Sequence, residues 1–580
     1  SLGLHTFVTA LESGSLTPDE CNAAFKLAYA RWYLPIVLDQ REPLRTFHRG
    51  RHEGAIAEFC HFDNLARQAA SSYARQSNLH GLPSSEQAPR NSELGLLRHQ
   101  LGLKRPSKSI REMISRMPET FGKLAPCLLM SPLSIAQYLP PEQSQFDVVI
   151  LDEASQIATW DAIGAIARAK QTIIVGDSKQ LPPTNFFGRI ENDEDNDELE
   201  DHERDLESIL DEAQAAGLPT VQLNWHYRSR HESLIAFSNR HYYENKLVTF
   251  PAAESIDRGV SHVHVSGGVY DRGGSRTNRK EAEAVVADLV TRMQHCLGKP
   301  ASDRLTYGVV TLNRPQQSLI QDLLDEAQRK CPELEWFFAS DRVEPTVVKN
   351  LENVQGDERD VMMFSVTFGY DVRGKFPVDF GAINRDGGER RLNVAITRAR
   401  QKLVLYTSFK HDELRVEKSS ARGVRDLRDF IEYANSDKRM IGSPRESSAD
   451  DCGSQFENAV AEVLEEVGWK VDRNVGVSGH CLDIGIVHPE RPGTYLAGVV
   501  CDGEMYRHGI MALDREKTRQ RVLEDLGWNV IRVWSTDWWY DPDRAFLNLD
   551  KRLRELLGRP IESAPSSTDA SDHRQGELDS

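Results

Sequence analysis

Two adjacent carboxylates, Asp152 and Glu153, follow an apolar run at 148–151 (VVIL). Such a run is typical of a short buried strand, and in open parallel sheets ligands bind beyond the carboxyl ends of the strands. An Asp-Glu pair at that place suits nucleotide hydrolysis, because the first carboxylate holds Mg²⁺ and the second orients and deprotonates the attacking water. The alternative for this stretch alone is an ordinary surface pair at a strand end.

Four further polar segments follow this pair along the chain: GDSKQLPP at 176–183, HYRS at 226–229, QGDERD at 355–360 and NVAITRAR at 393–400. The first of them ends a run at 172–175 that is typical of a strand, and its glycine permits a sharp backbone turn. We therefore expect its polar side chains at the same edge of the sheet as the carboxylate pair.

The elements that position these segments alternate between strand and helix from about residue 124 onward. Strands are predicted at 127–130, 146–151, 172–175, 307–312, 361–366 and 403–406, and helices at 232–243 and 280–297. The helix at 280–297 is strongly amphipathic. This alternation is the signature of doubly wound α/β layers, whereas residues 1 to about 120 are mostly helical in pattern.

Four segments resemble, in this order, motifs II, III, V and VI of superfamily 1 helicases: DEASQ, GDSKQLPP, QGDERD and NVAITRAR. HYRS resembles motif IV, and LDEASQ, QLPP, HYRS and VAITRAR are similar to the Upf1-like branch. The resemblance covers roughly residues 124–416. It implies an α/β fold with two RecA-like parallel-sheet domains, at 124–220 and 221–440, and a helical N-terminal insertion at 1–123.

The resemblance also implies a role for each segment. Asp152 is expected to hold Mg²⁺, Glu153 to act as the catalytic base, and Gln180 to sense the γ-phosphate of ATP. Arg228 and Arg398 are expected to stabilise the transferring phosphoryl group, for which a rigid and always charged guanidinium is suited. The alternative for both arginines is a domain-closing salt bridge.

Four more residues are expected at the nucleotide. Tyr227 is positioned to pack on the base, and Glu358 to contact the sugar. Gly356, in QGDERD, and Arg400, in NVAITRAR, are also expected to bind the cofactor. The alternative for Tyr227 is plain packing in the core.

Ser131 and Ser134 follow the strand predicted at 127–130. Hydroxyl and backbone N–H groups at such a turn hold a phosphate, which makes both residues candidates for nucleic-acid binding. The alternative is that Ser134 only caps the next helix. Arg-rich stretches at 41–51 and 104–111 are candidates for tracking a phosphate backbone, or form a solvated helical face.

The family's P-loop, G-x-x-x-x-G-K-[S/T], cradles the phosphates of ATP. No such segment precedes Asp152, and the stretch at 102–109 has Lys and Ser but no second glycine. We expect an upstream segment or a partner chain to supply the loop, or the chain not to turn over ATP. Ser1 in place of an initiator Met fits a fragment.

Composition excludes several classes of protein. The net charge of −17 does not favour a nucleic-acid partner, but much of this charge lies in two segments. The acidic run at 191–205 is predicted to be a solvated or mobile loop, and the tail at 561–580 to be disordered. No run is apolar and long enough to indicate a membrane span. Eight scattered cysteines without a C-x-x-C pair argue against zinc or iron–sulfur sites and fit a reducing cytoplasm.

Beyond a Pro-, Ser- and Gly-rich linker at 441–453, the pattern changes. A helix is predicted from Phe456, strands at 469–475, 481–487, 495–501 and 529–534, and a helix at 514–526 before the last strand. This α-β-β-β-α-β order resembles PD-(D/E)XK nucleases of the very-short-patch-repair type. The resemblance implies a restriction-endonuclease-like α/β domain at 454–558, followed by a disordered tail at 559–580.

In that family carboxylates converge on Mg²⁺, which activates water and clamps the scissile phosphate. The resemblance implies Asp483 and Asp502 as catalytic metal ligands, with Glu457 and His508 as helpers. Val500 departs from the pattern, because relatives commonly carry Glu two residues before the second Asp. An active nuclease and a DNA-binding remnant both stay open. Three tryptophans are candidates for stacking on bases, with packing as the alternative: Trp534, Trp538 and Trp539.

The sequence therefore predicts part of an ATP-dependent superfamily 1 helicase or translocase that uses ATP and Mg²⁺ and acts on single-stranded or duplex DNA, or on RNA, with no membrane partner. Two alternatives are open. One is a non-catalytic nucleic-acid-binding or scaffold protein without a P-loop. The other is a Mg²⁺-dependent nuclease that a helicase-like module positions.

Overall fold

The structure is a computed structural model of the 580-residue chain. It describes residues 5–82, 88–141, 146–183, 208–254, 256, 259–377, 379–414, 421–436, 454–477, 480–503, 506 and 511–558. The acidic run at 191–205, the linker at 441–453, the tail at 559–580 and His508 lie outside these residues.

The first part of the chain is helical, as predicted. Its helices are His5–Glu12, Cys21–Gln40, Glu42–Arg45, Arg49–Leu79, Glu93–Leu101, Ile110–Ser115, Pro118–Leu124 and Pro132–Tyr138. The longest of them, Arg49–Leu79, has no buried residue. It contacts the C-terminal domain through polar side chains, described below, and through the His52 ring, which packs edge to face on Trp534 at 4.9 Å between centroids.

A two-stranded parallel sheet follows, formed by β1 (Phe146–Leu151) and β2 (Ala169–Ile174) around the helix Thr159–Ile166. Several apolar side chains of these strands are open to solvent: Val148, Ile150 and Ile173 are 40%, 61% and 50% exposed. A parallel sheet is normally buried on both faces, so this sheet has apolar surface left for further packing.

The strand predicted at 127–130 is wrong. These residues form no strand in the structure, and Leu129 is 97% exposed. A strand needs a hydrogen-bonded neighbour, and among the described residues β1 pairs only with β2. The apolar pattern there is real, but it has no partner strand to pair with.

The central part contains β3 (Trp225–His226), β4 (Val248–Thr249), β5 (Val260–His264), β6 (Tyr307–Thr311), β7 (Val347–Asn350), β8 (Arg359–Ser365) and β9 (Ala399–Thr407). β3 and β4 form a short parallel pair. The other five strands form one parallel sheet in the order β5-β9-β8-β6-β7. The structure thus confirms the predicted α/β class with parallel sheets.

Helices cover both faces of the five-stranded sheet. Arg279–Leu297 and Arg314–Lys330 pack on one face through residues such as Leu289 and Ile320. Ser233–Tyr242, Gly388–Ile396 and Arg422–Asn435 pack on the other through residues such as Phe237 and Leu427. Helix Ile209–Ala215 lies before β3. Successive strand residues alternate between the two cores, as the period of two along a strand requires.

The C-terminal domain begins with helix Ser454–Glu466 and contains β10 (Val471–Val475), β11 (Leu482–Val487), β12 (Tyr495–Cys501) and β13 (Val530–Val533). The strand order is β10-β11-β12-β13, and only the last pair is parallel. A π-helical turn at Asp514–Thr518 continues into helix Arg519–Asp525, and Ser535–Tyr540 and Pro542–Leu557 follow β13. The predicted α-β-β-β-α-β order is confirmed.

Among the helices of the described residues, none combines the length and the hydropathy that a membrane span needs.

Candidate active site

The Asp152-Glu153 pair stands directly after β1, as predicted, and both side chains are exposed. Asp152 Oδ1 accepts a hydrogen bond from the backbone N–H of Glu153 at 3.0 Å. Glu153 has φ 52°, a left-handed conformation that is uncommon for residues other than glycine. This turn directs its carboxylate toward the second sheet, where Gln355 Nε2 donates to Glu153 Oε2 at 3.1 Å.

Gln180 lies on the same side of the cleft. Its Nε2 donates to Asp177 Oδ2 at 3.0 Å, and the same carboxylate accepts from the hydroxyl of Tyr243 at 2.7 Å. Asn393 Nδ2 donates to the Tyr243 hydroxyl at 3.0 Å and to the Lys179 carbonyl at 2.9 Å. A continuous polar network therefore joins the first sheet to the helix that carries NVAITRAR.

Arg398 lies across the cleft from Glu153 and is 4% exposed. Its Nη2 donates to Gln180 Oε1 at 3.4 Å, and its Nε to the Val394 carbonyl at 2.9 Å. Burial lowers the pKa of Arg398 and so does nearby Arg228, whereas Glu358 and Glu153 raise it. Within the described part of the chain, Arg398 forms no ion pair with a carboxylate.

Arg228 stands beside Arg398 and is held differently. Its Nε lies 2.8 Å from Glu358 Oε2, and its side chain is 45% exposed. Arg228 and Glu358 both lie within residues 221–440, so this ion pair is not the domain-closing salt bridge that was the alternative, and Arg398 forms none in the described residues either. Arg228 and Arg398 thus bring two guanidinium groups to the wall of the cleft that lies opposite Glu153, and guanidinium groups are suited to bind an anionic ligand.

The other residues that were predicted to contact the nucleotide differ in their exposure, backbone conformation and ion pairs. Tyr227 is 64% exposed, so it does not pack in the core. Gly356 has φ 85°, a conformation that favours glycine. Arg400 is engaged elsewhere: its guanidinium pairs with Glu344 and, at 3.2 Å, with Asp360.

Ser131 and Ser134 lie at the start of helix Pro132–Tyr138. Ser131 Oγ accepts from the backbone N–H of Ser134 at 3.3 Å and donates to Ser134 Oγ at 3.0 Å. This is an N-cap, in which a side-chain oxygen satisfies a free N–H of the first helical turn. The alternative of a helix cap thus fits the structure, but the capping residue is Ser131 and not Ser134.

The cleft fits Mg²⁺ and ATP on the chemistry of its groups. Asp152 and Glu153 offer exposed carboxylate oxygens, which are the ligands that Mg²⁺ prefers. Two buried acceptor atoms in the same region, Gln355 Oε1 and Asn393 Oδ1, have no hydrogen-bond partner among the described residues. Buried polar atoms are normally satisfied, so these two are suited to donors from a ligand or its water.

Three residues of this cleft were missed by the sequence analysis. Gln355 and Asn393 lie inside the quoted motifs, but their neighbours took the assigned roles. Tyr243 ends the predicted helix at 232–243, where a tyrosine has no distinctive pattern. Burial raises its pKa, and the carboxylate of Asp177 raises it further, so its hydroxyl stays protonated as a donor.

The carboxylates of the C-terminal domain are arranged in another way. Asp483 on β11 is 4% exposed, and its Oδ2 accepts from the Cys501 N–H at 2.7 Å. Burial raises the pKa of Asp483 to about 6, and Asp502 adds to the shift. Asp502 accepts from the N–H of Ser535 at 2.6 Å and from its hydroxyl at 2.8 Å.

Val500 lies on the strand next to Asp483. The antiparallel register that pairs Ile484 with Val499 sets Val500 opposite Asp483 across β11 and β12. Val500 is 7% exposed and belongs to an apolar cluster, so this position adds no carboxylate to Asp483 and Asp502. Glu457 is half-buried on the first helix of the domain.

These residues do not fit a metal as they stand. An oxygen of Asp483 and both oxygens of Asp502 already accept hydrogen bonds from protein donors, and Val500 supplies no ligand. In the described residues, the one group of three acidic, His or Cys ligands that converges is His241, Asp426 and Asp429, which lies elsewhere.

Two of the three tryptophans are packed. Trp534 and Trp538 are each 3% exposed, whereas Trp539 is 50% exposed. Trp534 Nε1 donates to Glu53 Oε1 at 3.2 Å, which joins the C-terminal domain to helix Arg49–Leu79. Lys517 strengthens that contact through Asp63 and, at 2.6 Å, Asn64. Packing, rather than base stacking, describes Trp534 and Trp538.

Three segments of the chain match models of known protein families. Residues 77–186 and residues 206–410 each match a family model described as an AAA domain. Residues 456–553 match the REase_MTES_1575 family. Together these matches cover the three parallel sheets and the sheet of the C-terminal domain.

Curated relatives carry helicase names. The chain is 31% identical over 448 residues to "Uncharacterized ATP-dependent helicase MG140" of Mycoplasma genitalium, covering 73% of this chain and 38% of that protein. A homolog of that protein from Mycoplasma pneumoniae is 32% identical over 460 residues, covering 75% of this chain and 39% of its own length. "DNA replication ATP-dependent helicase/nuclease DNA2" of Gallus gallus is 29% identical over 271 residues, covering 45% of this chain and 23% of its own. The chain thus spans well under half the length of these relatives.

Proposed function

We propose that this chain hydrolyses ATP and couples hydrolysis to movement on DNA. It carries the AAA domains of Upf1-like superfamily 1 helicases together with an endonuclease-like domain, and it is homologous to ATP-dependent helicases. The observation that most supports this proposal is Arg398. A guanidinium that is 4% exposed and has no carboxylate partner among the described residues is costly unless an anion binds it.

In this proposal each side of the cleft has its own task. Bound Mg²⁺ and ATP supply the phosphoryl group and the charge that polarises it. Asp152 holds the metal, and Glu153, oriented by Gln355, takes the proton of the attacking water. Arg228 and Arg398 stabilise negative charge on the transferring group, and Gln180 connects Arg398 to the first sheet.

The phosphate cradle of this site comes from a further segment or a partner chain. The exposed apolar side chains of β1 and β2 support this proposal, because they leave a sheet surface that needs cover. A strand that carries a P-loop and adds to this sheet would place its loop beside the carboxyl ends of β1 and β2. The two unpaired acceptors, Gln355 Oε1 and Asn393 Oδ1, lie on the opposite wall.

We propose DNA as the nucleic acid, by analogy with the relative named as a DNA replication helicase/nuclease. We propose the cytoplasm as the compartment, since the described cysteines are all free thiols. For the endonuclease-like domain we propose no cleavage, because Asp483 and Asp502 bind protein donors and Val500 replaces a carboxylate.

The test is ATP hydrolysis in the presence of single-stranded DNA, with the phosphate-loop segment supplied. Glu153→Gln is expected to bind ATP normally and to hydrolyse it at least about 100-fold more slowly, because the amide cannot take a proton. Glu333→Gln, an exposed position, serves as the control and keeps the parental rate. A parental protein that hydrolyses no ATP, or a Glu153→Gln variant as fast as the parent, contradicts the proposal.

A further inference from the structure

An apolar cluster joins the endonuclease-like domain to the strands around HYRS. Phe250, at the end of β4, is 2% exposed and packs against residues of the endonuclease-like domain. These are Leu482, Val500, Leu523 and Trp528, of which Trp528 is 3% exposed. The position that in an active nuclease carries a carboxylate is thus part of a contact between domains.

Hydrogen bonds follow the same contact. Trp528 Nε1 donates to the Pro251 carbonyl at 2.8 Å, and the Tyr495 N–H donates to the Ala253 carbonyl at 3.0 Å. An antiparallel bridge links Glu254 to Thr494. The chain from Phe250 to Glu254 therefore runs along the endonuclease-like domain almost as an added strand.

A second tie lies beside it. The Val477 N–H donates to the carboxylate of Glu232 at 3.1 Å, just before helix Ser233–Tyr242. Glu232 also accepts from Thr249 on β4. One carboxylate thus connects the endonuclease-like domain, β4 and the turn after HYRS.

The contact reaches the cleft through Trp225. The Trp225 ring meets Phe250 at 5.6 Å between centroids and His480 at 5.0 Å, both edge to face. His480 also packs on Phe250 at 4.9 Å. Neither ring nitrogen of His480 has a hydrogen-bond partner among the described residues, so the ring contributes packing surface.

Arg228 lies three residues after Trp225 in the same segment. The segment begins as β3, which pairs with β4, and it ends where the Arg230 N–H donates to the Arg400 carbonyl at 2.8 Å on β9. Between these points His226 Nε2 lies 2.8 Å from Ser229 Oγ. The segment is therefore held at one end by the five-stranded sheet and at the other by the endonuclease-like domain.

We propose that the endonuclease-like domain positions Arg228 for phosphoryl transfer, with Trp225 and His480 as positioning residues and Val500 as part of the supporting core. This inference rests on the proposed function, which assigns Arg228 to the phosphoryl group. Placement within about 0.5 Å is what such a group needs, and an error of about 1 Å can cost about 100-fold in rate.

The test uses His480→Ala, which removes the ring on the endonuclease-like side without touching HYRS. Hydrogen exchange is expected to become at least 10-fold faster in peptides that cover 225–230 and to stay unchanged in β8. Trp539→Ala, exposed on the same domain, is the matched control and leaves both regions unchanged. Trp528→Phe, which keeps the ring but loses the bond to Pro251, is the milder second variant if His480→Ala does not fold.

ATP hydrolysis gives the second readout. In His480→Ala, kcat is expected to fall about 10-fold while KM for ATP changes less than twofold, and no further loss is expected when His480→Ala is added to Arg228→Ala. Equal losses in both backgrounds, or unchanged exchange at 225–230, would overturn the inference. If the parental protein hydrolyses no ATP, the proposed function fails on that result, and exchange at 225–230 alone decides whether the endonuclease-like domain holds the segment.

Discussion

Two pairs of carboxylates in this chain have similar sequence settings and different structural ones. Asp152 and Glu153 are exposed at the end of β1, and Glu153 lies near the guanidinium group of Arg398. Asp483 and Asp502 are engaged by backbone and side-chain donors of their own domain. Exposed carboxylates are open to a metal ion and its water shell, whereas Asp483 is 4% exposed, so the first pair is better placed for metal chemistry than the second.

The residues that lie opposite Glu153 and Asp483 also differ: the first is charged and the second is apolar. Opposite Glu153 stands Arg398, a buried cation without a carboxylate partner in the described residues. Opposite Asp483 stands Val500, inside an apolar cluster that includes Phe250. At the position where the resembled family commonly carries Glu, Val500 therefore contributes to the packing between two domains.

The largest effect that follows from this comparison is on hydrolysis. Arg398→Ala is expected to lower kcat for ATP about 1,000-fold, because a buried guanidinium at the transferring phosphoryl group is typically worth that factor or more. The rate is measured at saturating ATP with single-stranded DNA and the phosphate-loop segment present. Arg329→Ala, on an exposed helix face, is the control. An Arg398→Ala variant within threefold of the control would show that the cleft does not carry the reaction.

The second effect is on stability. Val500→Glu restores the carboxylate count of a nuclease but places a charge in an apolar cluster, so it is expected to lower the free energy of unfolding by about 3 kcal/mol and to restore no DNA cleavage. Chemical denaturation measures the loss. Val372→Glu, at a position 82% exposed, is the control. A Val500→Glu protein as stable as the control would place this position outside the core.

The third effect concerns pH. Burial raises the pKa of Asp483 to about 6 in the folded protein, above its value in the unfolded chain. The stability that protonated Asp483 supports is therefore fully present below about pH 4 and is lost as the pH rises through about 6, by about 3 kcal/mol in all.

Asp483→Asn is expected to keep the bond from Cys501 and to lose this dependence. Unfolding midpoints of both proteins between pH 4 and 8 give the difference. Glu281, whose pKa burial raises to about 7, contributes a slope of the same sign to both proteins, so it cancels in the comparison. A difference that does not change with pH would mean that Asp483 is ionised, as a metal ligand is.

The smallest effect is at the nucleotide base. Tyr227 is 64% exposed, so its removal costs little packing in the protein. Tyr227→Ala is expected to raise KM for ATP about fivefold, the loss of one stacking contact, and to leave kcat within about twofold. Unchanged KM would remove Tyr227 from the nucleotide site.

Much of this molecule was predictable from its sequence. Strands β1, β6 and β8 and the amphipathic helix Arg279–Leu297 were predicted, because hydrophobic periodicity reports on local burial, whereas β4 and β5 were not. The motifs also located the cleft residues, from Asp152 to Arg398. The strand at 127–130 was wrong because pairing depends on a neighbour, which the pattern of one segment does not contain.

Contacts between domains were not predictable. Nothing in the local pattern of Trp225, Phe250 or His480 shows that the three rings meet, since they are distant in sequence and belong to different domains. Likewise, the sequence shows that Val500 departs from the family pattern, but only the structure shows which residues it packs against. Tertiary packing decides such roles, and a single sequence without its fold does not display it.

The most direct test of the contrast between the two carboxylate pairs measures ATP hydrolysis and DNA cleavage in one preparation. The parental protein and Asp483→Asn are compared in Mg²⁺, with single-stranded and duplex DNA and the phosphate-loop segment present. We predict that both proteins hydrolyse ATP at the same rate and leave the DNA intact. Mg²⁺-dependent cleavage by the parent that Asp483→Asn abolishes would contradict this account.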